Sequence, residues 1–237
     1  LNLDFDVTFQ HIHFILKDKF RFTATEKFCK GFTKSNIDFL ELFTELNTHF
    51  GCQNSFEGRT LEHDQQIIDN WNRVVTNGDK VYILGDIGRI GSNRDNEYLC
   101  RCISVLKGKK ILVLGNHDQE LKDARLRQLF AEIHDYKEII DNFDGHSYKV
   151  MLSHYPILFY NQQHKPNAVH LYGHVHMSDE WTIYKECLNR VNDYFKDKAL
   201  KGYTDCPPSI AYNCGAMLPY MNYTPRTLKE IIAAHNN

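Results

Sequence analysis

The sequence predicts an α/β fold, and three observations carry that reading. Two continuous apolar strands, 80–84 and 110–114, are joined by a helical segment over about 93–107, a βαβ arrangement that makes part of the sheet parallel. Several apolar strands end in a Gly followed by Asp, Asn or His, the boundary at which open α/β sheets collect ligands. No Gly/Ser/Pro linker, repeat or low-complexity stretch separates the pieces, so they read as one domain behind an N-terminal extension.

The elements follow in order. Leu3, Phe5, Val7 and Phe9, then Ile12 and Phe14, alternate around a Lys17-Asp18-Lys19 turn, which predicts a β-hairpin over about 3–22. Residues 1–38 are accordingly read as a hairpin extension and 39–237 as the main domain, whose first strand is expected at 39–46. Leu61, Ile67, Ile68, Trp71, Val74 and Val75 keep helical spacing until Asn77-Gly78-Asp79 stops the helix. A helix is expected at 119–131. Segments 138–142 and 147–153 flank Asp144-Gly145 as a second hairpin. A strand at 168–172, an amphipathic helix at about 180–199, a strand at 209–217 and a helix at 226–234 complete the chain.

Composition narrows the function classes. The 237 residues include 42% hydrophobic and 24% charged side chains with only 13 Gly and 6 Pro, which excludes disordered, collagen-like and coiled-coil chains. No window approaches the roughly 18 uninterrupted apolar residues of a membrane span, and no secretory signal opens the chain. It begins at Leu1 rather than Met, as a processed or trimmed chain would, and a cytoplasmic location is expected. The seven Cys include no CxxC pair and read as reduced thiols. A net charge of -2 gives no electrostatic reason to expect nucleic acid as a partner.

Thirteen His direct attention to where they fall. Leu84-Gly85-Asp86, Leu114-Gly115-Asn116-His117-Asp118 and Tyr172-Gly173-His174-Val175-His176 all follow apolar strands, and Met151-Leu152 runs into Ser153-His154-Tyr155. Imidazole, carboxylate and amide oxygen together suit Zn, Mn or Fe, and no thiolate accompanies them. The cluster reads as an open metal centre. His164 reads as a loop residue, with contact to a substrate the lesser alternative.

The order Asn47-Thr48-His49, Gly85-Asp86, Gly115-Asn116-His117-Asp118, His154 and Gly173-His174-Val175-His176 resembles the calcineurin-like metallophosphoesterases, over roughly residues 40–235. Asn213-Cys214-Gly215 and the 223–228 segment are similar to the closing part of small bacterial and phage members. The resemblance implies two mixed β-sheets sandwiched between helices, a four-layer αββα fold. It also implies two divalent transition-metal ions (Mn, Fe, Zn or Ni): Asn47, His49, Asp86 and His176 around one, Asp86, Asn116, His154 and His174 around the other, with Asp86 bridging. A hydroxide shared by the ions would attack the phosphorus in line. His117 would stabilise charge or protonate the leaving oxygen, with Asp118 orienting its ring.

The implied activity is metal-dependent phosphoester hydrolysis, most readily of phosphodiesters or small nucleotide-type substrates. Two departures qualify it. The family's Asp-x-His is here Asn47-Thr48-His49, and its Phe-Gly-His is Phe50-Gly51-Cys52. Asn coordinates through its carbonyl oxygen but brings no charge, so the first metal position is expected to be weaker. The alternative reading is a metal- or phosphate-binding homologue that has lost efficient turnover.

Overall fold

The computed structural model of the protein describes residues 21–23, 61–88, 93–118, 121–200 and 206–236. The described elements form an α/β fold of two sheets with helices packed against them. The strand expected at 39–46, most of the 3–22 hairpin, and the ligand candidates Asn47 and His49 lie outside these residues.

Five strands make the first sheet, in the order β4-β3-β2-β1-β9: β1 (Arg21–Thr23), β2 (Lys80–Ile83), β3 (Lys109–Val113), β4 (Glu132–His134) and β9 (Arg226–Thr227). β1 to β4 run parallel and β9 antiparallel. Four strands make the second sheet: β5 (Tyr136–Phe143), β6 (His146–Ser153), β7 (Ala168–Tyr172) and β8 (Ile210–Asn213), antiparallel between β5 and β6 and parallel thereafter. β1 falls within the stretch that the sequence assigns to an extension, yet it is hydrogen-bonded between β2 and β9.

Three of the apolar cores among the described residues follow from the alternation of side chains across each pleat. On one face of the first sheet, Val81, Ile83 and Leu112 meet Ile68 and Trp71 of α1 (Leu61–Val74) and Leu99 and Ile103 of α2 (Asn93–Ser104). On its other face, Tyr82, Ile111 and Val113 meet Val150, Leu152, Val169 and Leu171 of the second sheet. Beyond the second sheet, Tyr172 packs with Tyr184 and Leu188 of α4 (Asp179–Leu200). Because β2, β3 and β7 bury side chains on both faces, they read as continuous apolar runs rather than alternating ones.

The expected helix at 119–131 is corrected to a single turn, α3 (Ala124–Arg127). Asp123 accepts the N–H of Arg125 as an N-cap, so the turn starts late. After Phe130 the chain crosses to the sheet, where Ala131 N–H donates to Lys110 O and β4 pairs with β3. The predicted strand at 209–217 is shortened to β8, and the predicted 226–234 helix starts later, as α5 (Leu228–His235), because Thr227 forms its N-cap. The 144–145 hairpin turn is as expected, with both central residues left-handed (φ 49° and 77°). The described cysteines (Cys100, Cys102, Cys187, Cys206 and Cys214) are free thiols.

Candidate metal centre

Two pairs of parallel strands, one pair from each sheet, deliver their C-terminal ends to one place. β2 leads into Asp86, β3 into Asn116, β6 into His154 and β7 into His174. The approach is tight where β2 and β3 end. Gly85 is left-handed (φ 91°), and a Cβ there would lie 2.5 Å from His154 Nδ1 and 2.6 Å from Gly115 Cα. Only glycine leaves room for the imidazole.

Asp86, His154 and His174 each present one donor atom, all within 4.8 Å of one another. Asn116 Oδ1 completes the group, 2.9 Å from His154 Nε2 and 3.0 Å from His174 Nδ1. His154 Nε2 also stands 3.2 Å from His174 Nδ1 and 3.5 Å from Asp86 Oδ2. Asp86 and His154 are buried, and His174 is half-buried. Three of the candidate ligands, Asp86, His174 and His176, have left-handed backbones (φ 56°, 64° and 47°). A non-glycine residue held there costs about 1–3 kcal/mol, a strain that concentrates at functional sites.

His154 Nδ1 lies 2.8 Å from Leu84 O. A carbonyl only accepts, so Nδ1 carries the proton and Nε2 of the neutral ring turns a lone pair into the cluster. As the Asn116 amide is oriented, Oδ1 also presents lone pairs, and the 2.9 Å contact between the two has no proton to bridge it. Protonating His154 would supply one, but burial lowers its pKa, against the opposing pull of Leu84 O and the Asp118 charge. His174 is lowered too, by burial and by His154. Neutral nitrogens and an amide oxygen converging beside a carboxylate fit a divalent cation.

Asp118 is fully buried, and its oxygens are taken by the backbone. Oδ2 accepts the N–H groups of Asp86 and Gly115, and Oδ1 that of Ile87. Burial and the Asp86 charge raise its pKa, opposed by those three donors. His117 donates its own backbone N–H to Asp86 Oδ1 at 2.9 Å. Asp118 therefore joins the β2 and β3 loops, a task the sequence did not suggest beside its expected role at the His117 ring.

Of the residues singled out from sequence, Asp86, Asn116, His154 and His174 are brought together. His176 is not part of the 4.8 Å group; its carbonyl accepts Nδ2–H of Asn213 at 2.9 Å, while Asn213 Oδ1 accepts Gly215 N–H. Asn213, the last residue of β8, thus holds the His176 backbone in place. His164, read as a loop residue, lies in a turn and packs its ring on that of Phe195 of α4, centroids 4.1 Å apart. Tyr155, which follows His154 in the chain, lies 47% exposed with its ring 4.4 Å from that of His174.

No family model matches the chain. The gene 66 protein of Mycobacterium phage L5 is 40% identical over 75 residues, which is 30% of this chain and 36% of that protein. An uncharacterized protein of Methanocaldococcus jannaschii is 29% identical over 159 residues, 64% of this chain and 80% of that one. Among solved structures, a protein of unknown function from Aquifex aeolicus is 24% identical, with 83% of this chain and 93% of that chain covered at a TM-score of 0.49. The chain therefore spans about a third of the phage protein's length.

Proposed function

We propose that this protein is a metal-dependent phosphoester hydrolase of the calcineurin-like type, acting on phosphodiester or small nucleotide-type substrates. The observation that supports it most is the proton-free contact of His154 Nε2 with Asn116 Oδ1 beside Asp86 and His174. A four-layer αββα arrangement is part of the proposal, supported by the three apolar cores.

Asn47, His49, Asp86 and His176 would hold the first cation, and Asp86, Asn116, His154 and His174 the second. Such cations, when bound, neutralise phosphoryl charge and lower the pKa of water. Asp86 brings the negative charge the neutral donors lack, and its place is fixed by Asp118 and by the His117 N–H. His117 would meet the phosphoryl group and stabilise or protonate the leaving oxygen. Tyr155 walls one side of His174.

Chelated and dialysed protein should lose hydrolysis of an activated aryl phosphodiester and regain it with Mn, Ni, Zn or Fe. Unchanged activity after chelation would overturn the metal mechanism. A second reading, a cation- or phosphate-binding homologue with weakened turnover, is favoured by Asn47. Full metal loading without hydrolysis would select it.

A further inference from the structure

β7 is buried along its whole length, and between Val169 and Leu171 it carries an imidazole, His170, with no solvent exposure. The His170 ring lies between Tyr160 and Tyr172, with centroids 5.2 and 5.3 Å away. Burying a polar ring in such a strand is costly unless it makes a hydrogen bond that matters. Its Nε2 lies 2.8 Å from Ser153 Oγ, and Nδ1 is buried without a hydrogen-bond partner.

The single Ser153 hydroxyl proton fixes the direction of this pair. Ser153 Oγ lies 2.6 Å from Tyr155 O, and a carbonyl can only accept, so the single hydroxyl proton points to Tyr155. His170 must then be the Nε2–H tautomer, donating to Ser153 and leaving Nδ1 bare. Burial pushes the pKa of His170 down to about 3, which keeps the ring neutral and the direction constant.

The turn held in this way carries His154. Ser153 and Tyr155 flank it, Gly173 N–H donates to its carbonyl at 2.9 Å, and its ring is tied to Leu84 O. The Tyr155 ring lies 5.1 Å from that of His154 and 4.4 Å from that of His174. A shift of the Tyr155 carbonyl therefore moves a ring in contact with two candidate ligands at once.

We propose that His170 is a positioning residue: acting through Ser153, its Nε2–H fixes the Ser153-His154-Tyr155 turn and so sets where His154 and His174 present their nitrogens. As a statement about cation binding this rests on the proposed metal centre. As a statement about the turn it does not.

The test uses the full chain carrying His170→Leu, His170→Gln or Ser153→Ala. Leu keeps the volume and removes the donor, whereas the Gln amide can place an N–H where Nε2–H stood. Removing an outer hydrogen-bond partner of a metal ligand commonly costs 10- to 100-fold in affinity. His170→Leu and Ser153→Ala should each weaken calorimetric Mn²⁺ binding by about 10-fold, and combining them should add little. His170→Gln should stay within about threefold of the parent. In cation-free protein, NMR should show the His154 Nδ1 proton exchanging at least several-fold faster in His170→Leu and at near the parental rate in His170→Gln. Unchanged Mn²⁺ affinity and proton exchange in a folded His170→Leu would overturn the proposal. So would a Gln variant as impaired as Leu, since shape rather than the hydrogen bond would then be at work. If the parent binds no cation, the hydrolase reading fails, and the exchange comparison still decides the role of His170.

Discussion

The Asp118 carboxylate accepts the backbone N–H of Asp86, 32 residues earlier in the chain. With Ile87 and Gly115 also donating to it, one buried side chain holds two strand-end loops at the distance the cluster requires. A carboxylate suits this task because it only accepts, and all three partners only donate.

Asp118→Asn is therefore expected to harm the fold although it preserves shape. One amide N–H₂ would face at least one backbone N–H, leaving buried donors opposed, at about 1–3 kcal/mol for an unsatisfied group. Urea unfolding should show a lower midpoint with an unchanged m-value, and cation affinity should fall with it. A variant of parental stability that loses only turnover would assign Asp118 to the His117 ring instead.

Ligand and catalyst should separate under substitution. His154 turns Nε2 into the donor cluster, so His154→Ala should loosen or empty that position. His117→Ala should keep its metal while kcat falls by about 10² to 10⁴-fold, the usual weight of a group acting on charge that develops in the transition state. Metal content by elemental analysis, beside kcat for each variant, checks both. Equal metal loss would mean that His117 is a ligand.

What the sequence makes legible depends on how local the cause is. β2, β3 and β7, buried on both faces, stand out as apolar runs, and the Gly-polar steps after them locate Asp86, Asn116 and His174. The Asp144-Gly145 turn is equally local. β4 is not, because Glu132-Ile133-His134 are all half-buried and become a strand only by pairing with β3. The backbone bonds of Asp118, the hold of Asn213 on His176 and the His170–Ser153 pair join distant residues. His170 left one visible trace, an imidazole inside an apolar strand.

Asp141 gives stability a pH dependence that owes nothing to metal. It lies on β5, the edge strand of the second sheet, and burial raises its pKa to about 6 against the bond from Asn142 N–H. A carboxyl raised above its ordinary value of about 3.9 binds its proton more tightly when folded. Its contribution is therefore most favourable below about pH 4 and is lost as pH rises toward 6. Asp141→Asn should raise the free energy of urea unfolding at pH 7 to 8, by on the order of 1 kcal/mol once solvent screening at the edge strand is allowed for. It should change little at pH 4. An equal effect at both pH values would show that the charge is not the cause.

Asn47 is one of the two positions at which this chain departs from the motif pattern of the proposed family. A carboxylate at that motif position would face a divalent cation, and the amide keeps the shape while removing one negative charge. Of the ligands proposed for the first cation, Asn47, His49, Asp86 and His176, Asp86 is then the one carboxylate, and it is shared with the second cation. Loss even of an outer partner weakens metal sites about 10- to 100-fold, and loss of a ligand's charge should do at least as much. The first position should accordingly be the weaker of two, partly filled at cation concentrations that saturate the other. Asn47→Asp should bring metal content closer to two per chain and raise kcat/KM on a phosphodiester, with kcat gaining most if a half-filled centre limits turnover. Calorimetric stoichiometry and steady-state kinetics, measured beside the parent under identical cation, decide the matter. If Asn47→Asp gains neither metal nor rate, the neutral residue is not what limits this protein, and the first cation must be sought in other ligands.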